Sequence, residues 1–530
     1  MTSRLFSIVT PVYNPPEDAF AECAASVLAQ DYGDWEWCIV DDCSTSQWIE
    51  PMLDELAARD PRVKVHRRSE NGGIAAASND ALSMATGEFV VLLDHDDLLT
   101  RNALGAINHE IWLDESVDYV YSDEDKVAPD GTYFGRFPKP AWSPERLLCQ
   151  NYCCHVSAIR REILDTVGGF RSDFDGAQDY DLILRVTEHA RKVVHVPRVL
   201  YHWRIIEGST AGDLDAKPYA VDAGRRAVAD ALARRGIAGE VIDAGHGYHR
   251  VRRQLTEFPK VSIVVPTRGT IGRIWGLEMS YVVNMVSSVR RHSTYPDVEI
   301  VVVHNAAMSD DDLANIEQVA GEVVFVRYDE PFNFSKKCNL GALASSGDVL
   351  IFMNDDMEVR SADWIESMIG FLEDPSVGLV GPLLLLDNYL VQSAGHMSAP
   401  PSHYARGKPP SVSGGPGWPL ALNREVMGVT GACVAVRRDT FVDIGGFSLE
   451  FPLNYNDVDL CFKVIESGRR IIWTPDAELF HFESKSRSTH VNDSETALLY
   501  RLWGRYMRVD PYLSDRSLDR NEHIVHDDYL

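Results

Sequence analysis

Val90-Val91-Leu92-Leu93-Asp94-His95-Asp96-Asp97 is a short apolar run that breaks into carboxylates, and Val349-Leu350-Ile351-Phe352-Met353-Asn354-Asp355-Asp356 repeats it. Each run has the length and composition of a buried parallel strand. Its end would emerge at the carboxyl edge of an α/β sheet, where ligands bind. Residues two apart on an extended chain point the same way, so Asp94 and Asp96 can face one ligand together. Two oxygen-bearing side chains there suit a hard divalent cation, and such a cation suits a diphosphate. Either copy alone reads better as an acidic turn after a core strand, and the rest of the chain reverses that preference.

Outward from the first copy, strands and helices alternate. Phe6–Asn14 reads as a strand ending in a Pro-containing turn, Ala19–Gln30 as a helix, and Trp35–Asp42 as a strand ending in two aspartates. A helix over Ile49–Arg59, a strand over Val63–His66, the turn Asn71-Gly72-Gly73 and a small-residue helix over Ile74–Ala85 lead into Val90. This alternation predicts a mainly parallel sheet covered on both faces. After Asp97 the pattern loosens, and Tyr121-Ser122-Asp123-Glu124-Asp125 and Phe137–Tyr152 read as surface loops and short strands. Gly168-Gly169-Phe170 then precedes Gln178-Asp179-Tyr180-Asp181-Leu182, which opens a helix.

At Lys260 the pattern restarts, and the landmarks recur in order. Pro11 pairs with Pro266 (266 − 11 = 255), Asn79 with Asn339 (339 − 79 = 260) and Asp96 with Asp356 (356 − 96 = 260). Gly168 pairs with Gly445 (445 − 168 = 277), Asp179 with Asp457 (278) and His202 with His481 (279). The jump from 260 to 277 falls where the second copy carries the Pro/Gly-rich stretch Ala399–Pro419, so a surface loop grown there explains it. The expected organisation is a first unit over 1–212, a helical connector over 213–258, a second unit over 259–490 and a helical tail over 491–530.

Composition limits the function classes. The 530 residues, 45% hydrophobic and 25% charged, describe a globular protein with sizeable cores. A net charge of -28 argues against a nucleic-acid partner, which asks for a broad basic face. Nine cysteines without a CxxC pair read as reduced thiols in a cytosolic protein. The amino terminus runs into a strand pattern with no signal peptide, and the apolar run near Val377–Leu386 is too short to span a bilayer.

Pro11-Val12-Tyr13-Asn14, Val40-Asp41-Asp42, Asp94-His95-Asp96 and Gln178-Asp179-Tyr180-Asp181-Leu182 together resemble the signature series of the inverting family 2 glycosyltransferases. Tyr121–Lys126, Phe332-Asn333-Phe334-Ser335, Gly428–Ala432, Asn456-Asp457-Val458-Asp459-Leu460 and His481–Arg487 are similar to bacterial O-antigen, capsule and rhamnan enzymes of that family. The resemblance covers nearly all of both halves. It implies two tandem Rossmann-like domains of the glycosyltransferase A-type, each a mainly parallel mixed sheet flanked by helices. It also implies a bifunctional transferase that moves sugars from UDP- or dTDP-type nucleotide donors to an oligosaccharide or lipid-linked acceptor.

By resemblance, Asp96 and Asp356 would ligate Mn²⁺ or Mg²⁺, Asp94 and Asn354 would lie near the ribose and metal, and His202 and His481 would add metal or phosphate contacts. Asp179 and Asp457 would be the general bases; the alternative for each is a first-turn carboxylate stabilised by the helix dipole. Thr10, Tyr13, Asp41 and Asp42 would line the first nucleotide pocket, where carboxylates accept the imide N–H of uracil or thymine. In the second half Thr267, Arg268 and Asn305 would line its counterpart. There Arg268-Gly269 replaces Tyr13-Asn14 and His304-Asn305 replaces Asp41-Asp42, which predicts a different donor or binding mode.

The expected location is cytoplasmic, with room for peripheral contact at the inner membrane. Leu498, Leu499, Leu502, Trp503 and Met507 form an apolar helical face among Arg501, Arg505 and Arg508, suited to docking on the second unit or to touching a membrane. Trp142, Trp203 and Trp418 are candidates for stacking on sugar rings or for ordinary packing. One rival is a single catalytic unit with a non-catalytic, polymer-binding partner. Another, a sugar-1-phosphate nucleotidyltransferase, would want a Gly-rich basic loop that residues 8–22 lack. A pure scaffold would bind no sugar nucleotide.

Overall fold

The computed structural model describes residues 4–206, 218–411, 419–483 and 493–513. Two large mixed sheets form, nine-stranded and ten-stranded among the described residues, with the same strand order along their common path. In the first, the order is Val63–Arg67, Trp35–Asp41, Phe6–Val12, Phe89–Leu92, Ser157–Arg160, Tyr119–Val127, Val193–Arg204 and Leu98–Leu99. In the second it is Val324–Tyr328, Val298–Asn305, Val261–Pro266, Val349–Met353, Cys433–Arg437, Val377–Leu385, Arg470–His481 and Met357–Val359. The first four strands of each run parallel, and the fifth pairs antiparallel with the fourth.

Alternation across the pleat builds both cores. Val9, Val40 and Val90 face one cluster, whereas Ile8, Ile39 and Val91 face another across the sheet. The second half repeats this with Val264, Val303 and Leu350 against Ile263, Val302 and Ile351. Strands apolar on both faces are what a sheet covered by helices on both sides requires.

The recurring Asn and Gly-Gly-Phe form one device. Asn79 donates its Nδ2 to the Phe170 carbonyl at 2.9 Å and accepts the Phe170 N–H on Oδ1 at 2.8 Å. Asn339 does the same to Phe447, at 2.9 and 3.0 Å. Gly169 and Gly446 lie in the left-handed region at φ +69° and +61°, which turns the Phe backbone onto the amide.

Tyr119–Val127, expected among loops, is a nine-residue strand in the interior of the first sheet. Its acids are matched from distant segments: Asp123 accepts the Lys139 N–H and meets His195, Glu124 meets Lys139, and Asp125 meets His202. Acidic composition suggests exposure, and these partners lie too far along the chain for a local pattern to anticipate.

Between the halves, the helix Pro218–Arg234 is followed by a hairpin, Gly239–Gly245 with Tyr248–Arg253. Ala223, Ala227, Val228 and Ala231 of that helix are buried in the first half's core. The long loop of the second half carries a small hairpin, His396–Ser398 with Pro401–His403. A second added hairpin, Ile271–Ile274 with Leu277–Ser280, precedes the helix Tyr281–His292.

Leu499 of the tail helix Asp493–Trp503 packs on Met427, Phe451, Val458 and Phe462, and Trp503 Nε1 donates to Asp459 Oδ1 at 2.9 Å. Trp203 packs against the His155 ring at 5.3 Å and Trp142 against the first core. Trp418 and 484–487 lie outside the described residues. No helix among the described residues is long and apolar enough to cross a membrane.

Candidate functional site

Each half gathers its acids at the carboxyl edge of the parallel strands. In the first, Phe89–Leu92 delivers Asp94, Asp96 and Asp97 beside the end of Phe6–Val12. Asp97 accepts the Tyr201 hydroxyl at 2.6 Å and the Arg204 N–H at 2.7 Å, so its carboxylate anchors the strand Val193–Arg204. The Asp96 carboxylate takes no hydrogen-bond donor among the described residues, which leaves it open for a cation. Burial raises the Asp94 carboxyl above its ordinary range, against the opposing pull of His155.

His155 was not anticipated from the sequence. It meets Glu124 at 3.3 Å, and Lys139 reaches the same carboxylate at 2.8 Å. Burial works against charge on His155, yet Cys154 and Glu124 together lift its pKa well above normal. Burial alone would raise Glu124, but Lys139 and His155 bring it to about 2. The His155 imidazole therefore stands beside the acids of the first site, and when protonated its charge bears on Asp94 and Asp179 alike.

The two histidines of the repeat sit differently. In the second half Met357 pairs with His481 across the strands, one residue after Asp356, and His481 Nε2 lies 3.2 Å from Asp356 Oδ1. In the first half Leu98 pairs with His202, two residues after Asp96, and His202 turns its Nδ1 to Asp125. Two ligand atoms on one Mg²⁺-sized cation, about 2.1 Å from it at a right angle, lie about 3 Å apart. The Asp356–His481 pair is close to that spacing at 3.2 Å; its carboxylate suits Mn²⁺ or Mg²⁺, and its imidazole favours Mn²⁺ of the two. In the first half Asp94, Asp97 and His155 offer ligand atoms within 4.8 Å of one another.

The expected nucleotide residues divide into open and occupied. Tyr13 is 47% exposed at the strand end, free to cover a base. Asp41 receives the Ser44 N–H on Oδ1 at 3.0 Å, which leaves Oδ2. Asp42 accepts Gly72 N–H and Arg68 on one oxygen and Gly73 N–H on the other, each at 2.9 Å, so it holds the Asn71-Gly72-Gly73 turn. Thr10 is fully buried and accepts Trp37 Nε1 at 2.9 Å; it supports the pocket from beneath.

In the second half Thr267 donates its hydroxyl to Asp355 at 2.6 Å, and Arg268 is exposed with its guanidinium 5.9 Å from the Phe332 ring centre. Asn305 accepts Lys337 Nζ, which also donates to the Thr267 carbonyl at 2.6 Å. Lys337 is fully buried, and burial pushes it down to about 8. It occupies the position that Ala77 holds in the first copy, so aligning the two copies could have found it. The Asn354 N–H caps the Ala432 carbonyl at 2.9 Å.

The candidate bases open equivalent helices, Gln178–His189 and Asn456–Glu466. Asp179 accepts Asn151 Nδ2 at 2.9 Å, and burial raises its pKa. Asp457 accepts the Gly431 N–H at 3.0 Å on one oxygen and the Val458 N–H at 2.9 Å on the other. Both carboxylates retain lone pairs for a substrate proton.

This geometry gives the two halves one design: acids at the carboxyl edge of the parallel strands and a carboxylate opening a helix that follows the Gly-Gly-Phe turn. The chain belongs to glycosyl transferase family 2, whose model matches residues 7–168 and 262–444. It is 35% identical to an uncharacterised protein of Sinorhizobium fredii over 98% of this chain and 58% of that one. It is 34% identical to the O-antigen biosynthesis protein RfbC of Myxococcus xanthus over 96% of this chain and 40% of that one. The chain thus spans about half the length of these curated relatives. Among solved structures it is similar to S. aureus TarS 1-349 in complex with UDP-GlcNAc, at 22% identity and a TM-score of 0.34, covering 43% of this chain and 72% of that one.

Proposed function

We propose that the chain is a metal-dependent inverting glycosyltransferase with two active sites, one in each half. It moves sugars from UDP- or dTDP-type donors to a growing bacterial surface polysaccharide or lipid-linked glycan. The observation that carries this reading is the recurrence, on two sheets of one topology, of an acid at the central strand end and a carboxylate opening the facing helix. The name of the Myxococcus xanthus relative, an O-antigen biosynthesis protein, supports the acceptor class.

In each site the acceptor hydroxyl would approach the anomeric carbon opposite the departing diphosphate, and a single displacement inverts that carbon. Asp179 or Asp457 takes the hydroxyl proton as the bond forms. Asp96 in the first half, and Asp356 with His481 in the second, would hold the divalent cation, which supplies charge stabilisation to the diphosphate when bound. Tyr13 and the free oxygen of Asp41 would position the base of the first donor; Arg268 and Asn305 would do so in the second. The proposed location is the cytoplasm, with peripheral contact at the inner membrane where a lipid-linked acceptor would lie.

The test is thermal stability with UDP, dTDP and GDP, each with and without Mn²⁺, on the parent protein, Asp96→Ala and Asp356→Ala. A ligand at a hundred times its dissociation constant stabilises the folded state by about 2.7 kcal/mol. The expected result is that each variant loses a different metal-dependent nucleotide response. Loss in Asp96→Ala alone would make the second half a binding module, and no response to any nucleotide would end the transferase reading.

A further inference from the structure

The two candidate bases are held by different means. Asp179 receives a side-chain amide, Asn151 Nδ2, whereas Asp457 receives the backbone N–H of Gly431. An ionised carboxylate only accepts, so the Asn151 amide must turn its nitrogen toward Asp179 and its oxygen away. That oxygen, Asn151 Oδ1, is buried and takes no donor from the protein. An unpartnered buried carbonyl oxygen beside a catalytic carboxylate is a receiving group that is complete only with a ligand donor.

The backbone that carries the amide is held firmly. Its chain segment follows the short helix Pro144–Leu147, and Gln150 N–H bonds the Arg146 carbonyl at 2.9 Å. The neighbouring Tyr152 is fully buried, and its hydroxyl accepts the Ser143 N–H at 2.8 Å. These bonds fix the backbone around Asn151, and its buried oxygen meets a ligand once the side chain turns outward.

Among the described residues, the second half places no side-chain amide on Asp457. The offset of 277 that relates the Gly-Gly-Phe motifs places Gly428 where Asn151 stands. A side chain there would crowd Cys461 and His396, since even a Cβ would lie 3.2 Å from the Cys461 sulfur and 3.4 Å from the His396 Cβ. The difference between the sites is thus built into the packing.

We propose that Asn151 is an acceptor-positioning residue of the first site: its Oδ1 accepts a hydroxyl of the acceptor sugar while Asp179 takes the proton of the neighbouring, attacking hydroxyl. The first half then requires an acceptor with adjacent hydroxyls, and the second half does not. This rests on the transferase reading above.

The test uses the full chain and Asn151→Leu, which keeps the volume and removes both polar atoms. Saturation-transfer NMR is recorded with the methyl pyranosides of glucose, galactose, mannose and rhamnose, in the presence of UDP and Mg²⁺, on an Asp457→Asn background. The expected result is contact with at least one pyranoside in the parent, lost in Asn151→Leu, while both proteins show the same UDP-induced rise in melting temperature. With a saccharide that turns over, acceptor KM should rise at least tenfold while the KM for the nucleotide-sugar donor stays unchanged. An equal UDP response with no pyranoside contact in the parent, or with contact unaltered in Asn151→Leu, overturns this proposal alone. A parent that responds to none of UDP, dTDP and GDP overturns it together with the transferase reading.

Discussion

Asp179, the proposed base of the first site, would serve the chemistry at a cost to the fold. Burial raises its pKa, with His155 and the Asn151 amide opposing the rise. A carboxyl whose folded pKa exceeds its unfolded value binds its proton more tightly in the native state, so it opposes folding once the pH lies above that range. Asp179→Asn should therefore melt at a higher temperature than the parent at pH 7. The difference should shrink toward zero as the pH falls below the unfolded carboxyl value of about 3.9. Calorimetry from pH 7 to pH 3 measures this, and a gain that stays constant across the range would refute it. The same substitution should lower transfer by the first site by about 10²–10⁴-fold, the usual contribution of a positioned base. Asp179 was legible in the sequence because it follows Gly-Gly-Phe in both copies; Asn151 was not, since its partner is 28 residues away and its counterpart is a glycine.

Among elements, the clasp between the small-residue helix and the Gly-Gly-Phe turn carries the helix that presents each base. Gly446 sits at φ +61°, and a Cβ there would meet Asn339 Oδ1 at 2.9 Å and the Phe441 ring at 3.1 Å. Gly446→Ala adds left-handed strain of about 1–2 kcal/mol to that crowding. It should lower the melting temperature of the second half and weaken its nucleotide response, leaving the first half's response intact. An unchanged melting profile would show that the turn relaxes freely. The parallel strands and their helices could be read directly, because apolar runs and helical spacing are local signals. Tyr119–Val127 could not: a buried strand of acids declares itself only through Lys139, His195 and His202.

Over the whole molecule, the two halves meet through a buried ionic cluster. Arg253 pairs with Glu145 at 2.7 Å, Ser143 Oγ donates to Glu425, and Arg470 reaches both Glu425 and Asp374. Asn423 Nδ2 adds a bond to the Val251 carbonyl at 3.0 Å. Burial raises Glu425, with Arg470 as the main opposing charge. Removing one partner of such a cluster strands a buried charge, at about 3–5 kcal/mol. Arg470→Met should destabilise the chain on that scale and separate the melting of the halves into two transitions. A single transition at the parent temperature would mean that the cluster contributes nothing to their association.

The sequence by itself determined the duplication, the alternation of strands and helices that opens each half, the acids at the strand ends and the carboxylate that opens each facing helix. These follow from periodicity, from chain order and from a second copy against which to check the first. Only the tertiary structure decided which acids are open. Asp42 is consumed by the Gly72-Gly73 turn and Asp97 by Tyr201 and Arg204, whereas Asp96 keeps its carboxylate clear of protein donors. It also set His481 against Asp356 and His202 against Asp125, through a one-residue difference in where the last strand pairs. Hydrogen-bond partners and strand register join residues from about thirty to more than a hundred positions apart, and the local pattern around any one of them carries no record of the other.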